Sequence, residues 1–315
     1  MVAGAGGIQA QDEGAARLSV WTRARHLDAS AIADALVRDR SVVRTWAMRG
    51  TLHLVPAEDV RWLLALLGPV FVTASQRRYR ELGLDEAACA AGVAAIADAV
   101  TAEGPLTRAA LGERIGASGQ ALAHLVRRAA LEGVICCGPA GTYVALTDWL
   151  GGRSAPGPTG EAALAELARR HLSAFGPARP EDLSAWSGLT RARARAAWRL
   201  VEGELVEVVA AGRPAWMVKG IPRPRRTTRS SVRLLPAFDT YLLGHENRTL
   251  IVNDRFARRV QPGGGWIHPT VVVDGEVVAT WRLNDDGVDI DWFGNDLVSG
   301  VDAEAERLRA FLAAS

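Results

Sequence analysis

The sequence predicts an α+β fold of three tandem winged-helix modules followed by a C-terminal β-rich, barrel-like domain. A helix followed by a helix-turn-helix and a β-hairpin recurs along the chain up to about residue 220. Beyond residue 230, strand-like runs replace this pattern. A recurring supersecondary unit is typical of repeat architectures, so we expect one module for each copy. The expected boundaries are 1–86, 87–150, 158–220 and 230–315.

The clearest copy spans residues 87–146. Apolar residues at helical spacing predict a first helix over 87–101, and Gly104-Pro105 ends it. Thr107 can cap a short second helix, and "QALAHLVRRAALEG" predicts a third. "VICC" and "TYVAL" flank a Pro/Gly turn, which predicts a β-hairpin. Three helices followed by a hairpin wing describe a winged helix.

The same order recurs elsewhere in the chain. From about 160 to 219, "EAALAELARRHLSAF" predicts the first helix, "TRARARAAWRLVEGE" the third and "LVEVVAAGRPAWMV" the hairpin. A looser copy comes first, with two helices and a hairpin-like run from 42 to 55. Winged helices commonly read DNA but also dock proteins, so the repeat alone leaves both functions open.

The C-terminal region follows "PRPRRTTRSS" (222–231), which we expect to be an exposed basic linker. "VRLLPAFDTYLLG", "WIHPTVVVDGEVVATWRL" and "GVDIDWFG" are strand-like, and Asp274-Gly275 is a hairpin signal. A final helix, "DAEAERLRAFLAA", is expected to begin with Asp302 as its cap. This region therefore predicts a small β-rich domain packed against the repeats.

Composition excludes several classes of protein. Apolar residues make up 49% and charged residues 23%, as in ordinary globular domains. No apolar run reaches the roughly 18 to 20 residues of a membrane-spanning helix, and no signal peptide is evident. Cys89, Cys136 and Cys137 fit neither a disulfide framework nor a CxxC zinc site. We therefore expect a cytoplasmic protein that does not bind membranes.

The charge is distributed unevenly along the chain. The net charge is +2, but residues 177–233 carry twelve basic against five acidic residues, a local balance of +7. Residues 234–315 carry seven against thirteen, a balance of −6. This asymmetry fits either solvated helix faces or a one-sided positive surface that could bind phosphates.

Several residues have both a structural and a functional interpretation. There is no Walker loop, GxGxxG after a strand, HExxH or nucleophile elbow. His53 lies on an alternating apolar run, where a hydrogen-bonded structural histidine is favoured over a catalytic one. Asp239 has an apolar setting, where a salt bridge is favoured over catalysis. Trp266 and Trp292 lie near turns, where they could contact a base or a sugar.

The stretch "GGIQAQDEG", residues 6–14, holds two glutamines separated by one small residue. If the segment is extended, Gln9 and Gln11 point to the same side, whereas Ala10 points away. Two carboxamides offer donors and acceptors without net charge, so they can orient a water molecule but are poor proton acceptors. On this pattern alone, a merely polar N-terminus is the alternative.

Four segments together resemble the winged-helix DNA glycosylases of the AlkZ/YcaQ type: "GIQAQD", "RTWAMRGTLHLVPAEDVRWLLALL", "LLPAFDTYLLGHENR" and "HPTVVVDGEVVATWR". They stand in the family's order and span essentially the whole chain. In the AlkZ branch the catalytic signature is Gln-apolar-Gln, and in the YcaQ branch its last position is Asp. Gln9-Ala10-Gln11 therefore matches the AlkZ branch.

The resemblance implies a monofunctional glycosylase that hydrolyses the N-glycosidic bond of N7-alkylated purines, with Gln9 and Gln11 positioning the water. It also implies tolerance of bulky adducts and unhooking of interstrand crosslinks; some relatives act in antibiotic self-resistance. The expected partner is double-stranded DNA carrying alkylated purines. We expect no metal, no cofactor, and a nucleoid-associated monomer. Supporting residues near the site are expected at Asp12, Arg49, Thr51 and His53. Contacts to DNA phosphates are expected at Arg191, Arg193, Arg195, Arg223, Arg225 and Arg226.

One feature departs from the family pattern. Its members usually have more chain, including a helix, ahead of the Gln-x-Gln segment, whereas eight residues precede Gln9 here. This implies either a longer native start or support of the segment from elsewhere in the fold. The alternatives to a glycosylase are a non-catalytic winged-helix DNA-binding protein, such as a transcriptional regulator, and a protein-docking scaffold.

Overall fold

The N-terminal region places a short strand beside a hairpin. The computed structural model describes residues 1–24, 26–153, 157–220, 231–285, 287–294 and 298–313. The first elements are β1 (Ile8–Gln9), α1 (Glu13–Arg23), α2 (Ala29–Val37), β2 (Val42–Trp46) and β3 (Leu52–Pro56). Asp12 and Asp28 cap the two helices, since their carboxylates accept from the N–H groups of Ala15 and Ala31 at 2.8 and 2.7 Å.

The middle of the chain is mainly helical. Its elements are α3 (Val60–Glu81), α4 (Glu86–Glu103), β4 (Leu106–Thr107), α5 (Arg108–Ile115), α6 (Gly119–Leu131), β5 (Ile135–Cys137), β6 (Thr142–Ala145) and α7 (Leu146–Leu150). Thr107 caps α5 by accepting from Ala110 N–H at 3.2 Å, as the sequence predicts. The hairpin β5–β6 lies where "VICC" and "TYVAL" predict it.

A second copy of this order follows. Its elements are α8 (Gly160–Phe175), α9 (Pro180–Ser187), α10 (Arg191–Val201), β7 (Leu205–Ala210) and β8 (Arg213–Val218). A bridge between Ala178 and Trp216 occupies the place that β4 has in the preceding copy. In the first copy, the described residues between 13 and 56 form two α-helices before their hairpin. The number of winged-helix modules and the four domain boundaries therefore stay predictions.

The C-terminal sheet is open, which corrects the expected barrel-like form. Its elements are β9 (Val232–Leu235), α11 (Ala257–Val260), β10 (Thr270–Val273), β11 (Glu276–Asn284), β12 (Gly287–Trp292) and α12 (Val301–Ala313). Four antiparallel strands run in the order β12-β11-β10-β9, and the described residues form no pairing between the two edge strands. Four strands are too few to close around packed side chains, and α12 covers the sheet with Leu308 and Phe311 instead. Helix α12 begins at Val301, so Asp302 lies in its first turn and is not its cap.

A second sheet holds β1 at its edge. Six strands run in the order β1-β3-β2-β5-β6-β4, so the hairpins β2–β3 and β5–β6 share one sheet. Ile8 and Ala10, on either side of Gln9, are fully buried in a core shared with α1, α12 and the C-terminal sheet. The segment that carries the glutamines is therefore held on one side by β3 and on the other by the C-terminal region. Among the described helices, none is both long and apolar enough to cross a bilayer.

Candidate active site

The two glutamines lie side by side at the edge of the six-stranded sheet. Ile8 and Gln9 pair with Leu54 and His53 of β3, and the N–H of Ala10 donates to the carbonyl of Leu52 at 2.7 Å, so the chain stays extended. Gln9 Nε2 donates to Gln11 Oε1 at 2.6 Å. Gln9 is only 7% exposed, whereas Gln11 is exposed to solvent. The Gln9 amide is thus part of the packed interior, whereas the Gln11 amide faces solvent.

Arg49 determines which way the Gln9 amide points. Its Nη2 donates to Gln9 Oε1 at 2.6 Å. Because a guanidinium can only donate, the Gln9 oxygen must face Arg49, and the Gln9 nitrogen must face Gln11. Gln11 Oε1 accepts that N–H and retains a further lone pair for a water molecule. The hydrogen bonds therefore all run in one direction: Arg49 donates to Gln9, and Gln9 donates to Gln11.

The backbone around Arg49 adopts a tight turn between β2 and β3. Arg49 has a φ of 55°, in the left-handed region, where side chains other than glycine are uncommon. Its Nη1 donates to the carbonyl of Trp186 in the last turn of α9, where a cation also complements the helix dipole. A Cβ on Gly188, the C-cap of α9, would lie 3.0 Å from the Arg49 Cα. Arg49 therefore connects Gln9 directly to helix α9.

Two half-buried cations without carboxylate partners among the described residues make this region electropositive. Burial and the nearby charge of Arg248 lower the pKa of Arg49 to about 10. Arg248 donates to the Leu242 carbonyl and to Gln261 Oε1, and burial lowers its pKa as well. Among the described residues, neither guanidinium contacts an Asp or Glu side chain. Unneutralised charge of this kind attracts anions such as DNA phosphates.

The C-terminal region supports β1 through two consecutive residues. Thr240 Oγ1 accepts from the N–H of Gln9 at 3.4 Å and donates to the carbonyl of Gly7 at 3.3 Å. Asp239 is buried and forms the salt bridge favoured by its apolar setting, with Arg23 of α1 at 2.6 Å. Ser19 Oγ also donates to Asp239, at 2.6 Å. Support for the glutamine segment thus comes from β3, α1 and the residues that follow β9.

His53 stands directly across the sheet from Gln9. Its partners in register are Gln9 on β1 and Thr45 on β2, so the three side chains share one face. His53 Nδ1–H donates to the Thr51 carbonyl at 2.9 Å, and burial lowers the pKa of His53 to about 3. His53 is therefore neutral at physiological pH and cannot supply a positive charge to the site.

His53 and a second buried histidine predict acid destabilisation. Burial also lowers the pKa of His171 to about 3, and its Nε2–H donates to the Gly244 carbonyl at 2.8 Å. Below pH 6.5 the unfolded chain protonates both histidines, whereas the folded chain does not, so the free energy of unfolding falls as pH falls. Between pH 7.5 and 5.5 we expect a loss of about 1.4 kcal/mol for each histidine. Urea denaturation at the two pH values measures it.

The matched variants are His53→Gln and His268→Gln, because His268 is exposed. His53→Gln should remove about half of the pH dependence that the two buried histidines produce, whereas His268→Gln should leave that part unchanged. If His53→Gln unfolds with the full wild-type pH dependence, His53 is not held neutral in the folded protein.

The remaining predicted residues are distributed over several places. Asp12 caps α1, and Thr51 Oγ1 donates to the Met48 carbonyl within the β2–β3 turn at 3.2 Å. Arg191, Arg193 and Arg195 stand exposed at the start of α10, and the described hydrogen bonds do not join them to the glutamines. Arg191 pairs with Glu246, and Arg195 with Glu181. Arg223, Arg225 and Arg226 lie outside the described residues.

Sequence reasoning missed three contributors to the site: Thr240, Arg248 and the Trp186 carbonyl. They approach Gln9 and Arg49 only through tertiary packing, so no spacing in the sequence indicates them. Thr240 and Arg248 do lie within "LLPAFDTYLLGHENR", one of the segments that carry the family resemblance. No group of three or more His, Cys, Asp or Glu side chains able to hold a metal occurs in the described part of the chain.

Three comparisons with known proteins agree. The family model described as "DNA glycosylase AlkZ-like" matches residues 2–311. An interstrand DNA cross-link repair glycosylase of Streptomyces sahachiroi is 29% identical to this chain, and the match covers 89% of this chain and 80% of that protein. The solved structure of the Streptomyces sahachiroi DNA glycosylase AlkZ superposes with a TM-score of 0.83 at 25% identity, covering 98% of this chain and 90% of that one.

Proposed function

The chain belongs to the AlkZ-like family of DNA glycosylases, and on that premise we propose that it hydrolyses the N-glycosidic bond of N7-alkylated purines in duplex DNA. A relative is named an interstrand DNA cross-link repair glycosylase, and we propose that unhooking of such crosslinks is within the reach of this chain. The observation that carries the proposal is the contact between Gln9 and Gln11, oriented by Arg49.

The reaction needs little help with the leaving group. Alkylation at N7 makes the purine cationic, so the base leaves as a neutral molecule when the C1′–N9 bond breaks and takes the bonding electrons. The sugar then has oxocarbenium character, and a water oxygen forms the new bond at C1′ while a proton passes to solvent. A weakly basic carboxamide suffices, because the task is to place the water and not to deprotonate it fully.

The different burial and hydrogen bonding of the two amides support different tasks for them. Gln9 is buried and its hydrogen bonds go to Arg49 and Gln11, so it serves to orient. Gln11 is exposed, and its oxygen is the acceptor that a water could reach from the DNA side. The half-buried cations Arg49 and Arg248 would draw the phosphates of the damaged strand toward this edge. A site that opens to solvent at Gln11 also suits a bulky lesion better than an enclosed base-binding pocket does.

The test uses a duplex with a single N7-methylguanine. We expect the full-length protein to release the free base, detected by mass spectrometry, and to leave an abasic site that alkali converts to a strand break. An undamaged duplex of the same sequence should stay intact. Membership of an enzyme family favours this outcome over a transcriptional regulator or a docking scaffold. Absence of base release from both N7-methylguanine and a crosslinked duplex would refute the proposal.

Replacement of Arg49 should slow hydrolysis more than it weakens binding. Arg49→Gly suits the left-handed turn (φ 55°) but removes the guanidinium that fixes the Gln9 amide. Misplacement of a reacting group by about 1 Å can cost about 100-fold, so we expect a 10- to 100-fold lower single-turnover rate with saturating enzyme. The control is Arg77→Ala, because Arg77 is highly exposed and pairs with Glu81 on the same helix. A wild-type rate for Arg49→Gly would contradict this positioning role.

A further inference from the structure

A large aromatic side chain is presented to solvent by the loop that precedes β10. Trp266 is 58% exposed, although tryptophan is usually well buried. It follows Gly263, Gly264 and Gly265, whose φ angles are 120°, 60° and 80°. Consecutive positive φ angles are accessible mainly to glycine, so the sequence of this loop is suited to the conformation that displays Trp266.

Trp266 is supported by a strained residue on the neighbouring segment. Its ring lies 5.2 Å from the ring of Phe238, centroid to centroid, at an interplanar angle of 37°. Phe238 has a φ of 56°, which is unfavourable for a residue with a Cβ. The N–H of Phe238 donates to the Ile267 carbonyl at 3.3 Å, so backbone and rings join the two segments. Strain maintained by surrounding contacts is typical of functional sites.

The same segment reaches the glutamine pair. Phe238 comes two residues before Thr240, whose hydroxyl accepts from the N–H of Gln9. The path from Trp266 to Gln9 consists of the 5.2 Å between the two rings, two Cα–Cα steps of about 3.8 Å from Phe238 to Thr240, and the 3.4 Å hydrogen bond from Gln9. With the side chains included, Trp266 lies within roughly 20 Å of Gln9. That distance corresponds to at most about six steps of 3.4 Å along one DNA strand. Trp266 thus lies within the span of a duplex whose lesion is at Gln9 and Gln11.

We propose that Trp266 and Phe238 form an aromatic platform on which a nucleobase next to the lesion stacks. The inference rests on the proposed function, since it takes damaged duplex DNA as the ligand. A nucleobase is the expected occupant because every base has a π-face, and one next to a displaced lesion loses a stacking neighbour. Stacking on Trp266 replaces that neighbour and holds the strand while Gln11 positions the water.

The experiment measures binding without hydrolysis. The probe is a duplex with a 2′-fluorinated N7-methylguanine, which resists cleavage, and with 2-aminopurine placed in turn at each neighbouring position. We expect Trp266→Ala to bind about 5- to 100-fold more weakly, since stacking on one aromatic contributes that range of affinity. At one position, 2-aminopurine fluorescence should be quenched by the wild type but not by Trp266→Ala. Trp266→Phe should restore most of the affinity.

The control variant is Val37→Ala, because Val37 is another exposed apolar residue, at 45%, on α2. Unchanged affinity and unchanged quenching in Trp266→Ala would overturn the platform. So would a loss confined to DNA whose N7 adduct carries its own aromatic ring, because the adduct and not a base would then be the occupant. If the wild type shows the Trp266-dependent quenching but releases no base from either N7-methylguanine or a crosslinked duplex, the proposed reaction fails and the platform stands.

Discussion

Gln11→Ala is expected to lower the single-turnover rate of base release by about 100- to 1000-fold, with little change in DNA affinity. The variant removes the exposed oxygen that would hold the water and leaves Gln9 Nε2 without the acceptor that it now reaches at 2.6 Å. Gln9→Ala should be as severe, because it also leaves the half-buried Arg49 guanidinium without one of its two acceptors. Rapid-quench assays with excess enzyme measure the rate, and fluorescence anisotropy measures the affinity.

Conservative variants separate water positioning from general damage to the fold. Gln11→Glu keeps an oxygen that can accept from Gln9 Nε2 and from water, so we expect it to retain more activity than Gln11→Leu, which keeps only the bulk. Gln76→Ala is the matched control, since Gln76 is an exposed amide on α3. If Gln9→Ala and Gln11→Ala both release base at the wild-type rate, the enzyme does not use this pair. If Gln11→Leu equals Gln11→Glu, the oxygen is not the important group.

The sequence predicts those features of the site that depend on local rules. Period-two alternation in an extended segment places Gln9 and Gln11 on one side, and the structure brings the two amides into contact. The cap at Thr107 and the hairpin β5–β6 follow from short-range signals in the same way. Each of these features involves residues that are close in sequence.

Features that depend on long-range packing could not be predicted. Arg49 reaches both Gln9 and the Trp186 carbonyl, which lie 40 and 137 positions away in the chain, and no periodicity relates the three residues. The open form of the C-terminal sheet depends on α12 covering one of its faces, which strand-like runs alone do not indicate. The family resemblance identified the segments that come together. Which side chains in them contact one another depends on the three-dimensional fold and could not be predicted from the resemblance.

Asp239→Ala should have the largest effect on stability, a loss of about 3 to 5 kcal/mol in the free energy of unfolding. The Asp239 side chain is fully buried and accepts from both Arg23 nitrogens, Nη1 at 2.8 Å and Nη2 at 2.6 Å, and from Ser19 Oγ. Its removal leaves Arg23, whose side chain is only 24% exposed, without its counter-charge. The cost arises mainly from that unpaired cation and not from the loss of an attractive contact alone.

Urea denaturation of Asp239→Ala and Asp239→Asn beside Glu81→Ala tests this expectation. Glu81 pairs with arginines that are 88% and 45% exposed, so its loss should cost at most about 1 kcal/mol. Asp239→Asn keeps an acceptor for Arg23 and should fall between the other two. Because Asp239 precedes Thr240, which holds the Gln9 backbone, base release by folded Asp239→Asn should slow as well. A cost near 1 kcal/mol for Asp239→Ala would mean that α1 and the C-terminal region hold β1 without this ion pair.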